Sequence, residues 1–440
     1  MAVNPVQQRA FSRRDFLAAA ASTAGAVALG CGESAQRIVD PVLQRGAGPL
    51  DLSKVQHVIV CMMENRSYDH FLGWVPQSDG RQQGLSYPDR NGVLQPTWAL
   101  APDYQGCGHP DPDHSMAGGR SELNGGACDG WLVTGNNDRY AIGYYVKEDL
   151  PFFAKAAQGW TCCDRYFSSM LGPTYPNRMF QHCAQTDRVS NTLAISSLPT
   201  IWDSLFNAGL QGRYYYSDVP FLALWGTKYF SGPQAISHPI SQFYADCAAG
   251  TLPQLAMVEP EFLGTALGLG SDDHPYADVR AGQAFLNRIY DAVRTSPAWP
   301  GIVLIINYDE WGGFFEHVPP PTGTTEALER SLGYTDGLLG FRVPAVVISP
   351  FALERAVAHD VLEHTSILKL VEQRWNLAPL TQRDATATSL ASLLFDTGKA
   401  KRPPGYAVPA VSGALCPTPG TGGLHWSGLL TLARSLGWPV

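Results

Sequence analysis

The sequence predicts an α/β fold: a mostly parallel central sheet with helices on both faces. Three observations carry this. Continuous apolar runs at 55–63, 301–307 and 343–349 have the pattern of strands buried on both faces. Helix-period segments fall between the strand candidates. The resulting alternation of strand and helix is what a parallel sheet requires.

The elements follow in chain order. The run at 55–63 is apolar and β-branched and reads as the first buried strand. Segment 199–208 has a helical pattern, with Pro199 tolerated in the first turn and Gly209 as a stop. Residues 214–216 and 254–258 read as strands. Segment 278–294 is an amphipathic helix in which Phe285, Ile289 and Val293 recur every four residues as core positions. Segment 363–376 is a further helix, with Ile367, Leu368, Leu370 and Val371 inward. Residues 53–400 form the main domain. The Pro/Gly-rich stretch within 401–440 reads as a surface arm, ending in a short helix at 426–436 that packs on the domain.

The first 31 residues stand apart from the fold. Ser12-Arg13-Arg14-Asp15-Phe16-Leu17 is a twin-arginine pattern, and the apolar segment behind it, 18–30, is shorter than the roughly 20 residues needed to span a bilayer. A cleaved export signal is expected, giving a periplasmic or secreted protein. Cys31 follows Ala28-Leu29-Gly30 and is a candidate lipid anchor. Residues 32–52 read as a linker. The net charge of −8 argues against nucleic acid as the main partner. Of the nine cysteines, Cys107 and Cys128 bracket a polar loop and form a reasonable pair, and no CxxC motif points to a zinc knuckle.

The chemistry-bearing motifs lie at strand ends. Glu64-Asn65 follows the strand at 55–63, and Asp309-Glu310 follows the strand at 301–307. Adjacent oxygen ligands at strand carboxyl ends suit a divalent cation. For the first pair a helix cap is the competing reading, and Ser67 and Asp69 carry it. Gly172-Pro173-Thr174-Tyr175-Pro176-Asn177-Arg178 holds a hydroxyl in a rigid loop, with a guanidinium four residues on that suits phosphate oxygens. His114, His274, His317 and His364 stand in Asp-, Gly- or Pro-rich surroundings where acid–base or phosphate-binding roles arise.

These motifs, in this order over residues 53–380, resemble the bacterial phosphoesterase family. That family holds exported phospholipases C, plant non-specific phospholipases C and acid phosphatases within the alkaline-phosphatase-like superfamily. The resemblance implies an alkaline-phosphatase-like fold. It implies one divalent metal (Ca, Mg, Mn, Fe or Zn) held by Glu64, Asn65, Thr174, Asp309 and Glu310. Thr174 would be the nucleophile, and His114 and His274 would serve the phosphoryl or leaving group. Asn65, Arg178, His317 and His364 would bind phosphate, with a scaffold salt bridge as the alternative for Arg178. Trp311 and Glu316 depart from the usual family pattern. A sulfatase of the same superfamily would need Cys or Ser where Thr174 stands, because Thr cannot yield formylglycine. The expected activity is phospholipase C-type hydrolysis, with phosphomonoester hydrolysis as the alternative and a phospholipid surface as a candidate partner. Trp74, Trp131, Tyr175 and Trp311 are candidates for a choline cage. The aromatic stretch 219–230 reads as either a lipid contact or a buried edge.

Overall fold

Two long apolar strands set the frame. They are β1 and β6, adjacent at the centre of an eight-stranded sheet whose strands, in chain order, are β1 (His57–Met63), β2 (Thr161–Cys163), β3 (Gly212–Tyr216), β4 (Ser237–Pro239), β5 (Leu255–Val258), β6 (Ile302–Tyr308), β7 (Ala345–Ile348) and β8 (Ala356–Ala358). Their spatial order is β8-β2-β7-β6-β1-β5-β3-β4. The computed structural model describes residues 48–398, 402–418, 420 and 422–440. The expected export signal at 1–31, with Cys31, and most of the linker lie outside the described residues.

The sheet is mostly parallel. β1 runs parallel to β6 and β5, β3 to β5 and β4, and β2 to β8. Only β7 is antiparallel to its neighbours, β6 and β2. Every residue of β6 is buried, although successive side chains point to opposite faces, so both faces of the sheet are covered. Burying each Val, Leu or Ile of such a strand contributes about 1.5–3 kcal/mol.

Five helices position the site: α1 (Tyr68–Leu72), α2 (Thr174–Cys183), α3 (Val279–Thr295), α4 (His364–Trp375) and α5 (Leu424–Ser435). The hydroxyl of Ser67 caps α1 by accepting from the N–H of His70 at 3.3 Å. Asp278 caps α3 by accepting from the Arg280 N–H at 2.9 Å. The helix expected from 199 begins at Ile201. Thr200 is its cap, with Asp203 reciprocating on the Thr200 N–H, so Pro199 stays outside. In the stretch 219–230, Phe221–Trp225 forms a buried single turn, which makes it an edge of the core and not a lipid contact. Trp131 and Trp311 share a separate buried core with Phe341, so they are packing residues and not walls of a choline cage. Among the described residues, no helix is long and apolar enough to cross a membrane.

Two long-range ties hold the loops at the strand carboxyl ends. Arg342 donates to both oxygens of Glu316 (2.9 and 2.6 Å) and to Asp69 Oδ1 (3.2 Å), and all three side chains are fully buried. Its second amino group caps the carbonyls of Asp79 and Asp164. The other tie is a disulfide between Cys107 and Cys416. It corrects the expected Cys107–Cys128 pair. The chain near Cys416 lies along the loop at 264–268, with the Cys416 N–H on the Leu267 carbonyl, and this brings it to Cys107; Cys128 remains a buried thiol.

Two predictions follow from these ties. Non-reducing digestion and mass spectrometry should return a linked peptide pair carrying Cys107 and Cys416; a pair carrying Cys107 and Cys128 would refute the pairing. Arg342→Ala strands two buried carboxylates and should destabilise the fold by about 3–5 kcal/mol in urea unfolding.

Candidate active site

Strand register builds the site. Met63 pairs with Tyr308 at the end of the parallel β1–β6 ladder. The next residues, Glu64-Asn65 and Asp309-Glu310, therefore leave the sheet side by side. β5 ends next to β1 and delivers Glu259. All five side chains are fully buried.

Asn65 turns the chain at this point. Its φ is +58°, a left-handed conformation that Asn tolerates better than most residues. The turn sets its backbone N–H on Asp309 Oδ1 (3.1 Å) and its side-chain amide on His114 Nε2 (3.2 Å). The turn also needs Gly312. That residue has φ +66°, and a Cβ there would lie 2.2 Å from the Asn65 carbonyl oxygen.

Arg178 braces the cluster. Its guanidinium donates to Glu259 Oε2 (2.5 Å) and Asp309 Oδ2 (3.1 Å) and lies 3.5 Å from Glu64 Oε1. It also sits over the rings of Phe262 and Trp426. Burial works against its charge, but Glu259, Asp309 and Glu64 outweigh that and keep it protonated. The alternative of a scaffold salt bridge therefore fits, and the expected phosphate fork does not: the group is sealed from solvent among three carboxylates. Thr174 opens α2 one turn before Arg178, so the two residues share a helix face. The positive end of the α2 dipole lies at this residue, which favours negative charge there.

The histidines divide into two sets. His114 donates Nδ1–H to the Pro112 carbonyl (2.7 Å), and its Nε2 lies 3.8 Å from Glu310 Oε1. Burial opposes its charge, but Glu310 and Asp111 prevail and push its pKa up to about 9. The His274 ring lies 6.0 Å from that of His114, and its Nε2 is 3.8 Å from Asp111 Oδ2. Burial holds His274 below the usual histidine range. These two meet the site. His364 does not: its Nε2–H bonds the Asp309 carbonyl at 2.7 Å, and burial lowers its pKa to about 4. It supports Asp309 from behind, which corrects the phosphate-binding expectation. His317 also departs from that expectation. Its ring is committed to Asp69 (2.5 Å) and Asp79 (3.3 Å) in the Arg342 network. Burial would lower its pKa, but Asp69 and Glu316 push it up to about 10.

The residues fit a divalent cation. Asn65 Oδ1, Thr174 Oγ1 and Glu310 Oε1 are buried without a hydrogen-bond partner. Buried polar atoms are ordinarily paired, so each of these oxygens can accept a ligand. Burial and Asp309 push Glu64 well above the usual carboxyl range, and burial pushes Glu310 up to about 8. A bound cation would reverse both shifts. Glu64 and Asp309 already accept hydrogen bonds, and carboxylate oxygens keep further lone pairs for a metal. At this site the ligand atoms that lie within 4.8 Å of one another are those of Asp111, His114 and His274, and the nitrogen donors suit zinc or iron. The comparable group Asp69, Glu316 and His317 is already neutralised by Arg342.

Sequence reasoning missed Glu259, which completes the Arg178 cage, although it too follows an apolar strand. It also missed Trp426, whose indole N–H bonds both oxygens of Glu64 at 3.0 Å. Asp111 stood in a recognised motif but was given no role.

The profile described as "Phosphoesterase family" matches residues 55–378. Phospholipase C B of Mycobacterium tuberculosis is 32% identical over 462 residues, covering 87% of this chain and 85% of its own. Non-specific phospholipase C1 of Arabidopsis thaliana is 30% identical over 381 residues, covering 76% and 69%. Among solved structures, a protein of the alkaline phosphatase superfamily from Vibrio parahaemolyticus has a TM-score of 0.38 at 11% identity, covering 79% of this chain and 74% of its own. The matched span takes in all eight strands and α2 with Thr174: the chain belongs to the phosphoesterase family and is a phosphoric ester hydrolase.

Proposed function

We propose that this chain is an exported, metal-dependent phosphoesterase of the phospholipase C type, working through a phosphothreonine intermediate. One observation carries the reading. The Thr174 hydroxyl is buried, lacks a partner, and opens the helix whose Arg178 grips both ligand-bearing strand ends. The relatives named as phospholipases C support the substrate class, and the twin-arginine pattern supports export.

Phosphoryl transfer depends chiefly on positioning and charge stabilisation. A divalent cation bound by Glu64, Asn65, Thr174, Asp309 and Glu310 would lower the hydroxyl pKa and neutralise phosphoryl charge. Thr174 Oγ1 attacks phosphorus as the bond to the leaving oxygen breaks. His114 and His274 are the groups placed to hand that oxygen its proton. Water then cleaves the phosphothreonine, regenerating Thr174 and releasing the phosphorylated product. The Asn65 carboxamide, 3.2 Å from His114 Nε2, keeps that ring in register with Glu310, and the α2 N-terminus favours the anionic phosphoryl oxygens.

Thr174→Ala should lower kcat at least 10³-fold with an unchanged thermal melt; near-wild-type turnover would sink the nucleophile assignment. Purified enzyme given phosphatidylcholine and a phosphomonoester side by side should release diacylglycerol from the first faster than phosphate from the second. The reverse order would favour an acid phosphatase. Exhaustive chelation should abolish both activities, with one divalent metal restoring them; full activity in verified metal-free protein would remove the metal role.

A further inference from the structure

The C-terminal segment reaches the site from outside the span of the family profile. Trp426 binds Glu64, stacks on Phe262 at 3.8 Å, and lies over Arg178. Its neighbour His425 receives the Tyr175 hydroxyl on its carbonyl oxygen at 2.8 Å, and the two rings are 5.2 Å apart. Tyr175 is the residue after Thr174. On its other side the His425 ring lies 6.2 Å from that of His274, which lies 6.0 Å from that of His114. Three imidazoles therefore form a row that runs from Glu310 to Tyr175.

Two further observations show that this placement is built. Gly422 packs so tightly on His274 that a Cβ there would come 2.6 Å from the ring. The Cys107–Cys416 bond pins the segment four residues before Asp111, on the loop that carries His114. Within this frame His425 Nε2 is closed to solvent and has no partner. An unpaired buried polar atom is destabilising unless a ligand supplies its partner.

We propose that the segment 422–438 forms a wall of the phosphoester site and that His425 is a substrate-contacting residue, donating Nε2–H to a phosphoryl oxygen of the bound ester. The inference rests on the phosphoesterase reading above. The contact is independent of proton transfer. Burial and the nearby His274 keep the imidazole neutral, so it binds as a fixed donor. Trp426 is a positioning residue: its indole fixes the Glu64 carboxylate without reaching substrate.

The test compares wild type, His425→Ala and His425→Gln on p-nitrophenyl phosphorylcholine, with inorganic phosphate as competitive inhibitor. His425→Ala should lower kcat/KM about tenfold and weaken phosphate inhibition by a similar factor. His425→Gln, which keeps a donor, should recover a good part of both. Thermal melts of each variant establish that folded protein is compared; if the alanine variant does not fold, the glutamine variant is read against His425→Leu. Wild-type phosphate inhibition and kcat/KM in the alanine or leucine variant would overturn the role of His425. An inactive wild type would instead overturn the phosphoesterase reading beneath it.

Discussion

The buried guanidinium of Arg178 is the constraint on which the rest of this site depends. It meets Glu64 at the end of β1, Glu259 at the end of β5 and Asp309 at the end of β6, and it belongs to the helix that Thr174 opens. One side chain thus fixes three strand ends and the helix that Thr174 opens relative to one another. Burying charges is costly, and it is tolerated here because each finds a partner. Glu310 is a fourth buried carboxyl group beside this cluster, and it faces His114 at 3.8 Å and not the guanidinium.

Much of this was legible from sequence because it follows a local rule. A continuous apolar run predicts a strand buried on both faces, and acids immediately after it stand at a strand end. The rule found Glu64-Asn65 and Asp309-Glu310, and β1–β6 register then placed them together. It applies equally to Glu259, but β5 is only four residues long and its signal is weak beside the longer runs. What local rules do not carry is which partner a side chain meets. His317 and His364 sit in motif positions much like those of His114 and His274, yet one is spent on Asp69 and the other on the Asp309 carbonyl. Arg178 could not be divided between phosphate fork and brace until its three carboxylates were in place.

The C-terminal segment read only in part: the helix expected at 426–436 is α5 (Leu424–Ser435) and packs on the core, but its contacts with the site were not legible, for a related reason. Its Pro/Gly-rich approach has the composition of a surface arm, and nothing local distinguishes Trp426 from an ordinary helix-facing aromatic. Its role comes from contacts more than three hundred residues away in the chain, to Glu64 and Cys107. Pairings of that kind leave no periodicity. The same holds for Arg342, which sits just before β7 and whose partners lie on α1 and on the loop after β6.

The charge pattern also implies an order of events on the reading proposed here. A phosphate ester is an anion, and four carboxyl groups facing it without a cation would repel it at close range in low dielectric. A divalent cation changes the sign of that field. The α2 N-terminus adds its partial positive charge at Thr174. Metal and ester are thermodynamically coupled in such a site, since each removes a penalty that the other would otherwise meet. Substrate affinity therefore belongs to the loaded cluster, and Arg178, by holding the acids close enough to need the cation, is what makes the coupling strong.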